Sequence, residues 1–126
     1  MKKIVKTNKA PQPVGPYNQA VIHNSTIYIS GQIAIDPITK ELVTSNLKDE
    51  TILVMNNLKA ILENENLSFE NVVKSTIFLS DMDSFKEVNE IYGSFFKSGN
   101  EPARETVEVS KLPLGVNVEI SMIAYL

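Results

Sequence analysis

The chain has no cysteine and no tryptophan, one histidine (His23) and one arginine (Arg104). Without cysteine there is no disulfide, no thiolate nucleophile and no thiolate metal site. A histidine-based metal site or a Ser–His pair would have to be built around His23 alone. Its setting, "AVIHNSTIYIS", is a strand beside the turn-like "HNS", which favours a surface histidine on a hairpin. The N-terminal "MKKIVKTNK" has lysines but no apolar segment behind them, and no window reaches transmembrane length. A cytoplasmic location without membrane contact is therefore expected. The net charge of −3 and the lack of a basic run argue against nucleic acid as a partner.

What is present suits one ordinary domain, residues 1–126. A chain of 126 residues buries roughly two-thirds of the surface its unfolded form exposes. "KKIVKT" is a short strand candidate. "NKAPQPVGPYNQA" cannot be regular, because Pro11, Pro13, Gly15 and Pro16 interrupt it. "QAVIHNSTIYIS" reads as a hairpin turning at Asn24-Ser25, and "GQIAIDPITKELV" as short extended pieces around Asp36-Pro37. From Leu47 the apolar period becomes helical: Leu47, Thr51, Val54, Met55, Leu58, Ile61 and Leu62 share one stripe, with Ser45 or Asn46 as cap. "NVVKSTIFLSD" is a buried-strand run with Val73, Ile77 and Leu79 among its β-formers. A second helix is predicted from Asp83 or Ser84, with a Ser84–Glu87 capping box, a stripe of Phe85, Val88, Tyr92 and Phe95, and an end at Gly99. "ARETVEV" and "VNVEISMIAYL" are the last strands. Two helices among about six strands predict a two-layer α+β sandwich, with both helices on one face of a mixed sheet.

Alternation assigns the faces. Val116, Val118, Ile120, Met122 and Ala124 suit packing under helices; Asn117, Glu119, Ser121, Ile123 and Tyr125 form a mixed face suited to a subunit interface. In "ARETVEV", Arg104, Thr106 and Glu108 oppose Ala103, Glu105, Val107 and Val109. If Val107 and Val109 face the helices and this strand neighbours the last one, Arg104 shares a face with Glu119. An arginine and a glutamate so placed are either a structural ion pair or a divided site. In the second case the guanidinium holds a substrate carboxylate and the glutamate handles water or a proton. Tyr17 sits at a Gly-Pro corner, Ser30 and Gly31 close a strand, and Asn89 borders the second helix's stripe. Each has an ordinary structural reading beside a pocket-lining one.

"GPYNQA", "YISGQIAID", "FLSDMDSFKEVNEIYGSFF" and "EPARETVEVSKLPLGVNVEI", in this order, resemble the RidA (YjgF) family of enamine/imine deaminases across essentially the whole chain. The resemblance implies a chorismate-mutase-like fold and a homotrimer with a central barrel and ligand pockets between subunits. It implies hydrolysis of reactive 2-imino acids, tautomers of 2-aminoacrylate and 2-aminocrotonate, to 2-keto acids and ammonia. Pyridoxal-phosphate dehydratases would supply these intermediates, and no cofactor or metal is called for. By the same resemblance Arg104 would bind the substrate carboxylate and Glu119 would position or activate water. Tyr17, Ser30 and Asn89 would line the pocket, with backbone contacts from Gly31 and Thr106. The tyrosine and serine would come from the subunit next to the one supplying the arginine. Thr106 stands where the family often has cysteine, and Glu105 where it usually has a small residue. A non-catalytic small-carboxylate-binding or enzyme-regulating trimer and a ribonuclease or translation inhibitor are the alternatives.

Overall fold

A computed structural model describes all residues from 1 to 126. The strands are β1 (Lys3–Val5), β2 (Ala20–His23), β3 (Thr26–Gln32), β4 (Val72–Leu79), β5 (Ala103–Glu108) and β6 (Val118–Tyr125). The helices are α1 (Leu47–Asn64), between β3 and β4, and α2 (Phe85–Gly93), between β4 and β5. One mixed sheet runs in the order β1-β2-β3-β6-β4-β5. Its neighbours are antiparallel except β4 and β5, the parallel pair, whose crossover carries α2.

Both helices pack on one face of the sheet. Ile27, Ile29, Ile77, Leu79, Val118, Ile120 and Met122 from the strands meet Val54, Met55, Leu58, Ile61 and Leu62 of α1 and Val88 and Tyr92 of α2. Burying each large aliphatic side chain contributes about 1.5–3 kcal/mol. The β6 residues fall on the two faces that alternation predicts: Val118, Ile120, Met122 and Ala124 are buried, while Glu119, Ser121 and Ile123 are half-buried on the open face. No helix is long and apolar enough to cross a membrane.

Local chemistry sets the boundaries. The β2–β3 hairpin turns at Asn24, whose positive φ of 55° is one an asparagine tolerates, and His23 is exposed beside it. Asp36 Oδ1 accepts from the N–H groups of Ile38 (2.7 Å) and Thr39 (3.0 Å), fixing the turn that the Ile35–Leu42 bridge closes. Of the two predicted caps, Asn46 starts α1: its Oδ1 accepts from Asp49 N–H at 2.8 Å.

Three expectations are corrected. A 3-10 turn (Met82–Ser84), capped by Asp81 accepting from Asp83 N–H at 2.9 Å, precedes α2. Ser84 therefore already has helical backbone angles, its side chain caps nothing, and no Ser84–Glu87 box forms. The helix also stops at Gly93 rather than Gly99, where Ser94 Oγ donates to Ile91 O at 2.6 Å; Phe95 lies beyond it and packs edge-on against Phe69. Val73 is exposed, because a register shift between Val72 and Lys74 in the pairing with β6 turns it away from the core.

Candidate functional site

Strand order decides where Arg104 points. The β5 strand does not neighbour β6, as β4 lies between them. Arg104 is level with Ser75 of β4, which is level with Met122 of β6, and both are buried under the helices. Glu119 is level with Phe78, which is level with Val107, on the open face. The expected arrangement is thus reversed for β5: Arg104, Thr106 and Glu108 lie on the helix side, and Val107 lies on the open face, 40% exposed. In a single chain Arg104 and Glu119 are on opposite faces, so they are not an intrachain ion pair.

Arg104 rests on aromatic rings of α2. Its Cζ lies 5.1 Å from the Tyr92 ring centroid and 5.7 Å from that of Phe85, distances at which a ring quadrupole attracts a cation. Tyr92 is itself held, its hydroxyl donating to the buried Ser75 Oγ at 2.9 Å. Burial raises the Tyr92 pKa, against the opposing pull of the Ser75 hydrogen bond and the Arg104 charge. Arg104 enters none of the three salt bridges, which join Lys3–Glu65, Lys74–Glu105 and Lys97–Glu70. The only arginine is half-buried and makes no salt bridge. Asn89, Tyr92, Gly93, Glu101 and Pro102 complete the cleft around it, which brings together two of the predicted residues, Arg104 and Asn89.

Thr106 lies two residues along the same side. Val109 N–H donates to Leu79 O at 2.9 Å. Alternation then turns the backbone groups of Glu105 and Val107 toward β4, and those of Arg104 and Thr106 toward the unpaired edge of the sheet. The Thr106 hydroxyl is buried with no hydrogen-bond partner. Glu105 projects to the other face, where its carboxylate accepts from Thr76 Oγ1 (2.9 Å) and pairs with Lys74 Nζ (3.1 Å). The Thr76 hydrogen bond first, and then Lys74, hold its pKa below the ordinary value. Glu105 therefore has its own partners, away from the arginine's face.

Tyr17, Gly31 and Glu119 line a second cleft of about 160 Å³ with Val14, Ile33, Ile35, Pro113 and Leu114. Glu119 packs directly against Gly31, and burial raises its carboxyl pKa. Ser30 serves this cleft indirectly: its Oγ donates to Asn18 O at 2.6 Å and its N–H to Gln19 O at 2.9 Å. These bonds tie the Tyr17 loop to β3. Gln19 is buried and bonds four times to the backbone of Thr7, Ala10 and Pro11, so the proline-rich segment is ordered against the sheet.

Both walls of this cleft are anchored to α1 by buried polar side chains that sequence reasoning missed. Asn57 Nδ2 donates to Ile33 O (3.2 Å) and Ile35 O (3.0 Å). Glu50 accepts from Asn117 N–H (2.7 Å), Asn117 Nδ2 (2.7 Å) and Val118 N–H (3.1 Å), immediately before Glu119. The available signal was a polar residue inside the apolar stripe of α1: position 50 is three after Leu47 and four before Val54. Pro113, Leu114 and the rings beneath Arg104 were also missed as site residues, since only the strand register and the loop path bring them there.

These features define a two-layer α+β domain with two candidate half-sites. One is an arginine without a salt bridge over aromatic rings at a sheet edge, and the other is a half-buried carboxylate against a glycine on the opposite face. The sequence matches the family described as Endoribonuclease L-PSP over residues 7–126, and the chain belongs to that family, known also as RidA or YjgF. A RutC family protein of Pyrococcus horikoshii is 46% identical over 99% of this chain and 98% of its own. A human protein named 2-iminobutanoate/2-iminopropanoate deaminase is 44% identical over 98% of this chain and 90% of its own. Among solved structures, that of a Thermotoga maritima protein described as a putative endoribonuclease superposes with a TM-score of 0.95 at 47% identity, covering 100% of this chain and 98% of that one.

Proposed function

We propose that this chain hydrolyses 2-imino acids, the tautomers of enamines such as 2-aminoacrylate and 2-aminocrotonate, to 2-keto acids and ammonia. The observation that carries the reading is the division of charge: a half-buried guanidinium without a salt bridge on one surface and a half-buried carboxylate packed against Gly31 on another. The human relative's name supports the same chemistry. The guanidinium would grip the substrate carboxylate through two parallel N–H bonds, and Asn89 and the free Thr106 backbone would orient it. A protonated imine is already electrophilic at its C=N carbon. Glu119 would take a proton from water as its oxygen adds to that carbon, giving an amino alcohol. Returning that proton to nitrogen leaves Glu119 free to take the hydroxyl proton as the C–N bond breaks, so ammonia leaves and the carbonyl forms.

The two half-sites act on one substrate when Arg104 of one copy meets Glu119, Tyr17 and Gly31 of the next. A homo-oligomer with pockets between subunits follows, and the resemblance implies a trimer. Pyridoxal-phosphate dehydratases are the class of enzyme that would release such imines. The name carried by the family points instead to RNA cleavage; the net charge of −3 and the apolar lining around Glu119 favour a small carboxylate. The test is to generate 2-aminocrotonate with a threonine dehydratase and follow keto-acid release with and without this protein. Acceleration is expected. Binding of 2-keto acids with no acceleration at any stoichiometry would replace catalysis by a carboxylate-binding role.

A further inference from the structure

The turn entering β6 carries a feature that the reaction above does not require. After Pro113 the backbone bends at Leu114, with φ 55° and ψ 20°, and then at Gly115, with φ 70°. Glycine adopts such angles freely, but a bulky residue at positive φ is an outlier held by its surroundings. Gly115 N–H donates to Leu112 O at 3.1 Å and Val116 N–H to Pro113 O at 3.3 Å, closing the turn. Val116 is buried, and Glu50 clamps the next two residues. Leu114 is thus fixed relative to Glu119, and its side chain, 64% exposed, stands at the mouth of the Glu119 cleft.

The chemistry around it is one-sided. Val14, Ile33, Ile35 and Pro113 are the other apolar walls, and no cation of the same chain lines the cleft; the arginine brought by the next copy is taken by the substrate's own carboxylate. The side-chain amide nitrogens of the lining glutamines are engaged by backbone carbonyls: Gln12 on Thr7 O, Gln19 on Thr7, Ala10 and Pro11 O, and Gln32 on Ser30 O. A second carboxylate would meet Glu119 with nothing to neutralise it. The volume of about 160 Å³ matches a cavity of roughly 150 Å³ that takes a benzene-sized apolar group.

We infer that Leu114 is a specificity-determining residue, closing a cleft that takes the alkyl substituent of the substrate and turns away anionic ones. This rests on the imine-hydrolase reading. The closed turn and the Glu50 clamp that follows it hold the leucine beside the Glu119 cleft.

The test uses imines generated in place by an L-amino-acid oxidase from alanine, leucine and glutamate, with rates measured over spontaneous hydrolysis. Wild type should favour the leucine-derived imine over the alanine-derived one and act least on the glutamate-derived one. Leu114→Gly, which relieves the backbone, should raise Tm and cut the leucine-to-alanine ratio of kcat/KM roughly fivefold or more. Leu114→Lys should raise the relative rate on the glutamate-derived imine. Unchanged ratios in both variants overturn the assignment. Should wild type accelerate none of the imines, the hydrolase reading fails separately. The Leu114 assignment is then decided by calorimetric binding of 4-methyl-2-oxopentanoate against pyruvate: a ratio lowered by Leu114→Gly upholds it, and an equal ratio in wild type and variant overturns it.

Discussion

The carboxylate of Glu119 occupies the space that a side chain at position 31 would need. A Cβ on Gly31 would lie 2.7 Å from Glu119 Oε2, 2.8 Å from Cδ and 3.0 Å from Cγ. The backbone of Gly31 is not in the left-handed region, so an alanine there would fit the chain while displacing the carboxylate. Gly31→Ala should leave the fold intact by circular dichroism and lower kcat about 100-fold, the scale of a misplacement near 1 Å. Turnover within twofold of wild type would remove Glu119 from the chemistry.

Glu119 should also write a pH dependence into both rate and stability. Burial raises its carboxyl pKa above the ordinary 4.5, so the acid limb of kcat/KM should lie above that value. A carboxyl raised on folding binds its proton more tightly in the folded chain. Its contribution to stability is full below the unfolded value and is lost as pH rises through the folded one. Thermal melts of Glu119→Gln and wild type should therefore diverge from pH 4 to pH 7, with the variant gaining. Parallel curves would contradict the desolvation.

Arg104 should not tolerate lysine. The stacking on Tyr92 and Phe85 and the two-pronged grip on a carboxylate both need a planar guanidinium. Arg104→Lys is expected to raise KM at least about tenfold, and Arg104→Ala to abolish turnover, with both variants folded. Tyr92→Phe removes the hydrogen bond to Ser75 and should cost about 1 kcal/mol in urea unfolding. Near-normal kinetics for Arg104→Ala would end its role as anchor.

Glu50 is fully buried and satisfies two backbone N–H groups at the start of β6. Glu50→Ala leaves both without an acceptor, each costing about 1–3 kcal/mol. The denaturant midpoint should fall by the equivalent of roughly 3 kcal/mol in total. A loss below about 1 kcal/mol would mean that water replaces the carboxylate.

If each site takes Arg104 from one copy and Glu119 from the next, two inactive variants should rescue one another. Unfolding and refolding Arg104→Ala with Glu119→Ala in equal amounts should give about one-quarter of sites with both groups, whatever the ring size. A site contained within one chain predicts no recovery.

Much of the domain was legible in the sequence because its signals are local. The 3.6-residue stripe marked α1, Asn24-Ser25 marked the hairpin, and the period of two in β6 divided buried Val118, Ile120 and Met122 from Glu119 and Ser121. The departures came where one local signal preceded another unseen. Asp81 began a 3-10 turn upstream of Ser84, and an irregular register turned Val73 outward. The residue types for the proposed chemistry, a lone arginine and a glutamate in a mixed face, were also legible as candidates.

Which side of β5 carries Arg104 was not, since "ARETVEV" places charged and small residues on both sides of the strand. By itself the sequence determined the elements, the faces of β6 and the candidate residues, all of which depend on neighbours within a few positions. Only the tertiary structure decided that β4 separates β5 from β6 and that Arg104 lies over Tyr92. It also decided that α1 holds both walls of the Glu119 cleft through Glu50 and Asn57. Strand order and register come from how the whole sheet pairs and buries its core, and no window of the sequence contains them.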